Sequence, residues 1–250
     1  MAFFKNEHDS HMHSLELLNV IYGYDSFLDG ISIIADMGCG AGLDTEWWAK
    51  LTTRDDPPEP RNYLVYGVDR DTSQFIPSIL EENTNIKLIK GDFEFSVLPR
   101  KVDLIWSHDS FQYTRDPLKC LASWKNSINV NGMLMMMIPQ TTFLVGNKLN
   151  IHNHSGQVHN FNILNIMYML ASSGFDCNDA YFYRKENSPW LYLAVYASAH
   201  DPVEHATWYD LAERNLLNDY MVNSVNKYGY ARLEDLVVRW LDRGLYQITN

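Results

Sequence analysis

The chain has 250 residues, 46% of them hydrophobic, with three cysteines and a formal net charge of −11. That length and apolar content support one sizeable α/β core with an appendage and exclude a disordered chain. Basic residues are scattered singly or in pairs, as in Arg100-Lys101 and Arg184-Lys185. This argues against a surface built to grip nucleic acid, which needs clustered Lys and Arg to neutralise phosphates. Cys39, Cys120 and Cys177 lack paired spacing, so neither a disulfide framework nor a zinc pattern is expected, in keeping with a reducing compartment. No run approaches the roughly 20 apolar residues of a membrane helix, and residues 1–8 lack the long apolar core of a signal peptide. The expected location is the cytoplasm.

Taken in chain order, residues 14–27 set Leu15, Leu17, Leu18, Ile21 and Tyr22 close to a helical stripe. The run Ile33-Ile34-Ala35-Asp36-Met37 then reads as a strand ending in the turn Gly38-Cys39-Gly40-Ala41-Gly42, with a helix over residues 43–51. Strand, glycine turn and helix bring backbone close to a nucleotide-like ligand in parallel α/β sheets. Residues 53–62, polar and carrying Pro57-Pro58 and Pro60, read as a surface loop. A second strand, residues 63–69, ends in Asp69, a carboxylate placed to accept both hydroxyls of a ribose. Asp71-Thr72-Ser73 is a capping sequence for the helix after that strand.

A third strand, residues 86–93, ends in Gly91-Asp92-Phe93, and a fourth, residues 102–109, ends in Ser107-His108-Asp109. Ligands bind outside the carboxyl ends of such strands, so all four tips face one crevice. Residues 117–128 read as a helix with Pro117 in its first turn. A fifth strand is expected over residues 133–139. Residues 160–173 read as a helix stopped by Gly174, and residues 181–183 and 190–196 as a hairpin around Asn187-Ser188-Pro189. Residues 206–225 and 233–245 are helical by pattern, with Gly229 between them. The His152-x-His154 pair has no carboxylate nearby at metal-ligand spacing, and the N-terminal His8, His11 and His13 read as solvated residues, so no metal site is expected.

This succession resembles the class I S-adenosylmethionine-dependent methyltransferases over residues 14–198. Asp36-x-Gly-x-Gly-x-Gly is similar to their first motif, Asp69 to the ribose-holding acid, and Gly91-Asp92-Phe93 to the adenine-reading motif. The segment Ser107-His108-Asp109-Ser110-Phe111-Gln112-Tyr113, followed by Asp116-Pro117, is similar to the fourth motif of small-molecule enzymes of the ubiquinone and betaine type. Asn129-Val130-Asn131-Gly132 stands where the family has a Lys-Pro-Gly-Gly turn, with three of the four residues replaced.

The resemblance implies a Rossmann-like seven-stranded, mostly parallel sheet with helices on both faces, its last strand antiparallel. It implies a methyltransferase domain over residues 1–200, with an acceptor-side insertion at 140–160. Residues 201–250 lie beyond it, as a helical extension packed on the domain or on a partner subunit, where a homodimer could form. The implied cofactor is S-adenosylmethionine, with S-adenosylhomocysteine as product. Its site would comprise Asp36, Gly38, Cys39, Gly40, Gly42, Asp69, Arg70, Gly91, Asp92, Phe93, Ser107 and His108.

The acceptor would be a small molecule with an N, O or C nucleophile, met by Asp109, Phe111, Tyr113, His154 and His159. Tyr183 and Trp190 either join that pocket or serve as sheet and core aromatics. Methyl transfer from a sulfonium mainly requires alignment and exclusion of water. A base is needed only when the nucleophile starts protonated. His108 and His159 are the candidates, and His108 either takes a proton or merely packs beside the cofactor. A non-catalytic cofactor-binding scaffold, a nucleic-acid methyltransferase and a transferase acting on another part of the cofactor are the alternatives.

Overall fold

Residues 133–138 read Met-Leu-Met-Met-Met-Ile and bury both faces of a strand. Met133, Met135 and Met137 join one core cluster, while Leu134, Met136 and Ile138 join the other. A strand covered on both sides lies at the centre of a sheet, and the computed structural model has that form. It describes residues 14, 28–53, 55–145, 148–151, 156–184, 188–229 and 239–240. The first half contains β1 (Ile33–Met37), α1 (Leu43–Ala49), β2 (Leu64–Asp69), α2 (Pro77–Glu82), β3 (Ile86–Lys90), β4 (Val102–His108) and α3 (Pro117–Ser127). Then come β5 (Ile128–Pro139), β6 (Thr142–Val145), β7 (Lys148–Ile151), α4 (Ile163–Ser172), β8 (Phe175–Arg184) and β9 (Trp190–Ala197). The tail carries α5 (Trp208–Glu213), α6 (Asp219–Tyr228) and β10 (Arg239–Trp240).

The main sheet runs in the order β10-β8-β9-β5-β4-β1-β2-β3. Strands β1 to β5 are parallel, β9 is antiparallel to β5 and β8, and β10 runs parallel to β8. The seven expected strands are thus extended by an eighth, two-residue edge strand. Arg239–Trp240 falls inside the segment expected to be helical and pairs instead with Tyr181 and Phe182. From β1 the chain moves outward through β2 and β3, then crosses back to β4 on the other side. The carboxyl ends of β1 and β4 therefore flank the point where connections diverge, and this opens a crevice between them.

Two layers cover the sheet. Trp48 of α1, Ile79 of α2 and Phe75 pack with Trp106 on one face. Cys120, Leu121 and Trp124 of α3 and Ile166, Met167 and Leu170 of α4 cover the other. Asp116 caps α3 by accepting from the Lys119 N–H at 3.1 Å, and Asn162 with Asn165 forms a reciprocal cap for α4. The tail joins the second layer, because Leu211, Leu216, Leu217, Met221 and Val222 are buried in the same cluster. Residues 206–225, expected as one helix, are broken between α5 and α6. Leu216 and Leu217 are both 1% exposed there, and Asn218 starts a fresh helix by accepting from the Tyr220 N–H. Between β5 and α4, β6 and β7 pair as an antiparallel hairpin, and the Thr141 N–H donates to the Phe161 carbonyl at 2.9 Å to close its base. Apart from Ser14, the expected helix over 14–27 lies outside the described residues.

Candidate active site

The glycine turn after β1 is held to the tip of β2 by backbone. Gly38 and Cys39 N–H groups both donate to the Val68 carbonyl, at 2.8 and 3.1 Å, and the Gly42 N–H donates to the Cys39 carbonyl. Two of the glycines serve different ends. Gly42 caps α1 at φ +87°, and a Cβ there would lie 2.4 Å from the buried Phe75 ring. Gly40 sits at φ +48°, and a Cβ there would meet nothing within 4 Å. The first is fixed by packing and the second leaves space at the crevice. The Gly40 N–H donates to Asp69 Oδ2 at 3.0 Å, and the Asp71 N–H donates to Oδ1 at 2.9 Å. Asp69 is therefore pre-oriented at its strand tip.

Below the turn lies a buried polar cluster. Register sets Asp36 of β1 level with Trp106 of β4, and strand alternation puts Asp36, Trp106 and His108 on the face that α1 covers. Asp44 and Thr45 come from that helix. Thr45 Oγ1 donates to Asp36 Oδ2 at 2.6 Å, and Trp106 Nε1 donates to Asp44 Oδ2 at 3.0 Å. His108 Nδ1 lies 2.8 Å from the same Asp44 oxygen, and Ser14 Oγ donates to Asp44 Oδ1 at 2.6 Å. Burial, reinforced by the neighbouring Asp44 charge, pushes the Asp36 carboxyl up to about 7. For His108, burial opposes the charged ring, but Asp44, Asp109 and Asp36 outweigh it and raise its pKa above the ordinary value.

Asp36, Gly40, Asp44, His108, Asp109 and Ser110 line the crevice. Ser110 Oγ donates to the carbonyls of His108 and Gly38, tying the β4 loop to the glycine turn. At the third tip, the Asp92 carboxylate accepts from the Glu94 N–H at 3.1 Å and pairs with the Arg115 guanidinium at 2.6 Å. Arg115 also reaches the buried Glu94 and so clips the loop after β4 to the loop after β3.

On the far side, Gln112 is fully buried and its carbonyl accepts from the Val158 and His159 N–H groups at 3.1 and 3.3 Å. Its side-chain amide donates to Asp109, which sits in the left-handed region at φ +52°. Ser107 Oγ, Gln112 Oε1 and His159 Nε2 are buried without a hydrogen-bond partner among the described residues.

Several expected residues fall elsewhere than the crevice wall. Phe111 is fully buried, stacked on Phe161 with centroids 5.2 Å apart and tilted against Trp124, so its ring packs in the core. The Cys39 side chain points into the other core cluster, and burial pushes its thiol up, leaving only its backbone near the turn. The Phe93 side chain is likewise core, and its carbonyl accepts from Trp124 Nε1 at 2.8 Å. Arg70 is exposed beside Asp69. Trp190 is buried with its ring centroid 6.5 Å from that of His108. Tyr113 is half-buried, and burial followed by the Asp109 charge raises its hydroxyl pKa.

His154 and the side chain of Tyr183 lie outside the described residues, as do His8, His11, His13, His152 and Asn187. Among the described residues no group of three or more His, Cys, Asp or Glu is arranged for a metal ion, and no helix is long and apolar enough to cross a membrane. The sequence reading missed Asp44, Ser14, Gln112 and Arg115. Only Asp44, one residue past the start of the helix that the glycine turn opens, carried a local hint.

Residues 35–136 match the family model described as a methyltransferase domain. No curated protein sequence matches the chain significantly. Among solved structures, an S-adenosylmethionine-dependent methyltransferase from Clostridium acetobutylicum is 13% identical, with a TM-score of 0.54 over 72% of this chain and 90% of that one. The O-methyltransferase of a Brevibacillus brevis polyketide synthase is 14% identical, with a TM-score of 0.55 over 80% and 76%. Magnesium protoporphyrin IX methyltransferase from Synechocystis is also 14% identical, with a TM-score of 0.54 over 76% and 80%. The sheet order and the glycine turn agree with the family match, so residues 35–136 are similar to a methyltransferase domain and the chain has the fold of these structures.

Proposed function

We propose that the protein moves the sulfonium methyl group of S-adenosylmethionine to a small-molecule N, O or C nucleophile and releases S-adenosylhomocysteine. The observation that carries this reading is Gly40, whose missing side chain opens onto the crevice while its N–H orients Asp69 at the next strand tip. In this assignment Asp36, Gly38, Gly40, Gly42 and the backbone of Cys39 surround the methionine part, with Ser107 and His108 opposite. Asp69, flanked by Arg70, takes the ribose hydroxyls. Gly91, Asp92 and the backbone of Phe93 take the adenine, and Arg115 must share the Asp92 carboxylate with it. Asp109, Tyr113 and His159 form the acceptor side, for which the buried unpartnered atoms of Gln112 and His159 are the physical support, because such groups call for a polar partner.

The transfer is an in-line displacement at the methyl carbon. The sulfonium charge disappears as the new bond forms, so the protein needs mainly to align donor and nucleophile and keep water out. A small acceptor fits the acidic chain, which lacks the basic clusters that nucleic acid demands. Residues 1–200 form the catalytic domain in this reading, and 201–250 an extension that also offers exposed Tyr209, Tyr220 and Tyr228 to a second copy. Three unpaired buried cysteines suit a cytoplasmic location. Calorimetry with S-adenosylmethionine and S-adenosylhomocysteine tests cofactor binding. Transfer of labelled methyl to pooled amines, phenols, quinols and carboxylates tests the activity. Absence of cofactor binding, or labelled methyl appearing only in tRNA, rRNA or DNA, would overturn the reading.

A further inference from the structure

We propose that Asp44 is a positioning residue that fixes the tautomer of His108 and makes it the proton acceptor for a methyl acceptor arriving protonated, as a hydroxyl or an ammonium group. The inference rests on the methyl transfer proposed above. The donors around one carboxylate carry it. Trp106 Nε1 lies 3.0 Å from Asp44 Oδ2, and His108 Nδ1 lies 2.8 Å from the same oxygen. An indole N–H can only donate, so Oδ2 accepts from it. Ser14 Oγ donates to Oδ1 at 2.6 Å, so both carboxylate oxygens act as acceptors. The imidazole therefore presents Nδ1–H to Asp44, and Nε2 is the nitrogen that gains and loses a proton. Both side chains are below a tenth exposed, and both line the crevice onto which Gly40 opens.

Among the described residues, the charges facing this ring come from three elements. Asp44 belongs to α1, Asp36 to β1, and Asp109 to the loop after β4, while Trp106 and the Trp190 ring supply uncharged walls. Together the three carboxylates favour the imidazolium against the penalty of burial, and that is the species formed when His108 takes a proton. The O–H or N–H proton of the acceptor moves to Nε2, and the freed electron pair forms the bond to the methyl carbon. The S–CH3 bond breaks with its pair retained on sulfur, giving a neutral thioether, and the imidazolium later returns its proton to water. In the proton transfer Asp44 acts through His108.

The test uses protein labelled with 15N in its nine histidines, the His108 signals being assigned by their loss in His108→Gln. The wild type should show a protonated Nδ1 throughout and an Nε2 that titrates above the ordinary histidine range. In Asp44→Asn the carboxamide oxygen still meets Nδ1 but the charge is gone, so the midpoint should fall by about 1 pH unit or more. An Nε2–H tautomer in the wild type, or an unmoved midpoint in a variant that still binds S-adenosylhomocysteine, would overturn the positioning role. If Asp44→Asn does not fold, the wild-type tautomer alone decides. With an acceptor recovered from the pooled assay, the acid limb of kcat/KM should follow the His108 midpoint and move down with Asp44→Asn; a limb that stays in place rejects His108 as base. Failure of the wild type to bind S-adenosylhomocysteine would instead strike the methyl-transfer reading, since the titration needs no cofactor.

Discussion

The β1–β2 side of the crevice is held by backbone N–H groups, whereas the β4 side is held by buried side chains. On the first side, N–H groups of the glycine turn reach the Val68 carbonyl and the Asp69 carboxylate across one strand step. On the second, Asp44, Trp106, His108 and Ser14 meet through sequence separations of 30 to 64 residues. A backbone site tolerates varied side chains as long as its glycines remain. A side-chain cluster in a low-dielectric interior depends on every partner, because an unpaired buried charge is costly. Changes on the first side should therefore act on affinity and folding, and changes on the second on turnover and pH dependence.

The largest departure should come from His108→Ala. If the ring is the base, turnover falls by roughly 10²–10⁴-fold, while S-adenosylhomocysteine affinity measured by calorimetry hardly changes. An equal loss in both quantities would erase the distinction between the two sides. Next is the pair Gly42→Val and Gly40→Val. The first puts a branched side chain at φ +87° into the Phe75 ring and should cost on the order of 3 kcal/mol in denaturant unfolding. The second meets no atom within 4 Å, so it should cost only the left-handed backbone strain of about 1–2 kcal/mol, yet abolish cofactor binding. Comparable folding losses for the two would show that the Gly40 space is not a ligand's.

Asp69→Ala leaves two ribose hydroxyls without their acceptor and should weaken S-adenosylhomocysteine by about 1–3 kcal/mol; an unchanged isotherm would sink the ribose assignment. For Asp36 the pH dependence is the readout. Its carboxyl is raised from 3.8 to about 7, so between those values the folded chain keeps a proton that the unfolded chain has released. That stability is full below the ordinary carboxylate range and is lost as pH rises through 7, by up to about 1.4 kcal/mol per pH unit. Unfolding curves of Asp36→Asn should lose that slope, and parallel slopes for the two proteins would place Asp36 outside the titrating cluster. The smallest effect belongs to Arg115→Ala. The guanidinium is mostly exposed, and removing its ion pairs should change stability by less than about 1 kcal/mol. Its use is to show whether freeing Asp92 alters cofactor affinity.

The strand-turn-helix at residues 33–49 and the acid at the tip of β2 were legible in the sequence because turn chemistry and strand endings are local. So were the α4 stop at Gly174 and the hairpin of β8 and β9, which rest on a left-handed glycine and on aromatic strand runs. The burial of Phe111 was not, since it reads as a motif residue and only packing reveals its stack on Phe161. The break between α5 and α6 escaped the periodic pattern too, because Leu216 and Leu217 are buried side by side and a single continuous stripe offers no signal for that.

By itself the sequence determined a parallel α/β sheet, its glycine turn and the line of polar strand tips along one edge, all of which arise from short-range backbone preferences and hydrophobic period. Only the tertiary structure decided which polar groups from distant segments meet. The register that levels Asp36 with Trp106 and the helix that lays Asp44 over His108 are set by packing between distant segments, and no spacing along the chain encodes them.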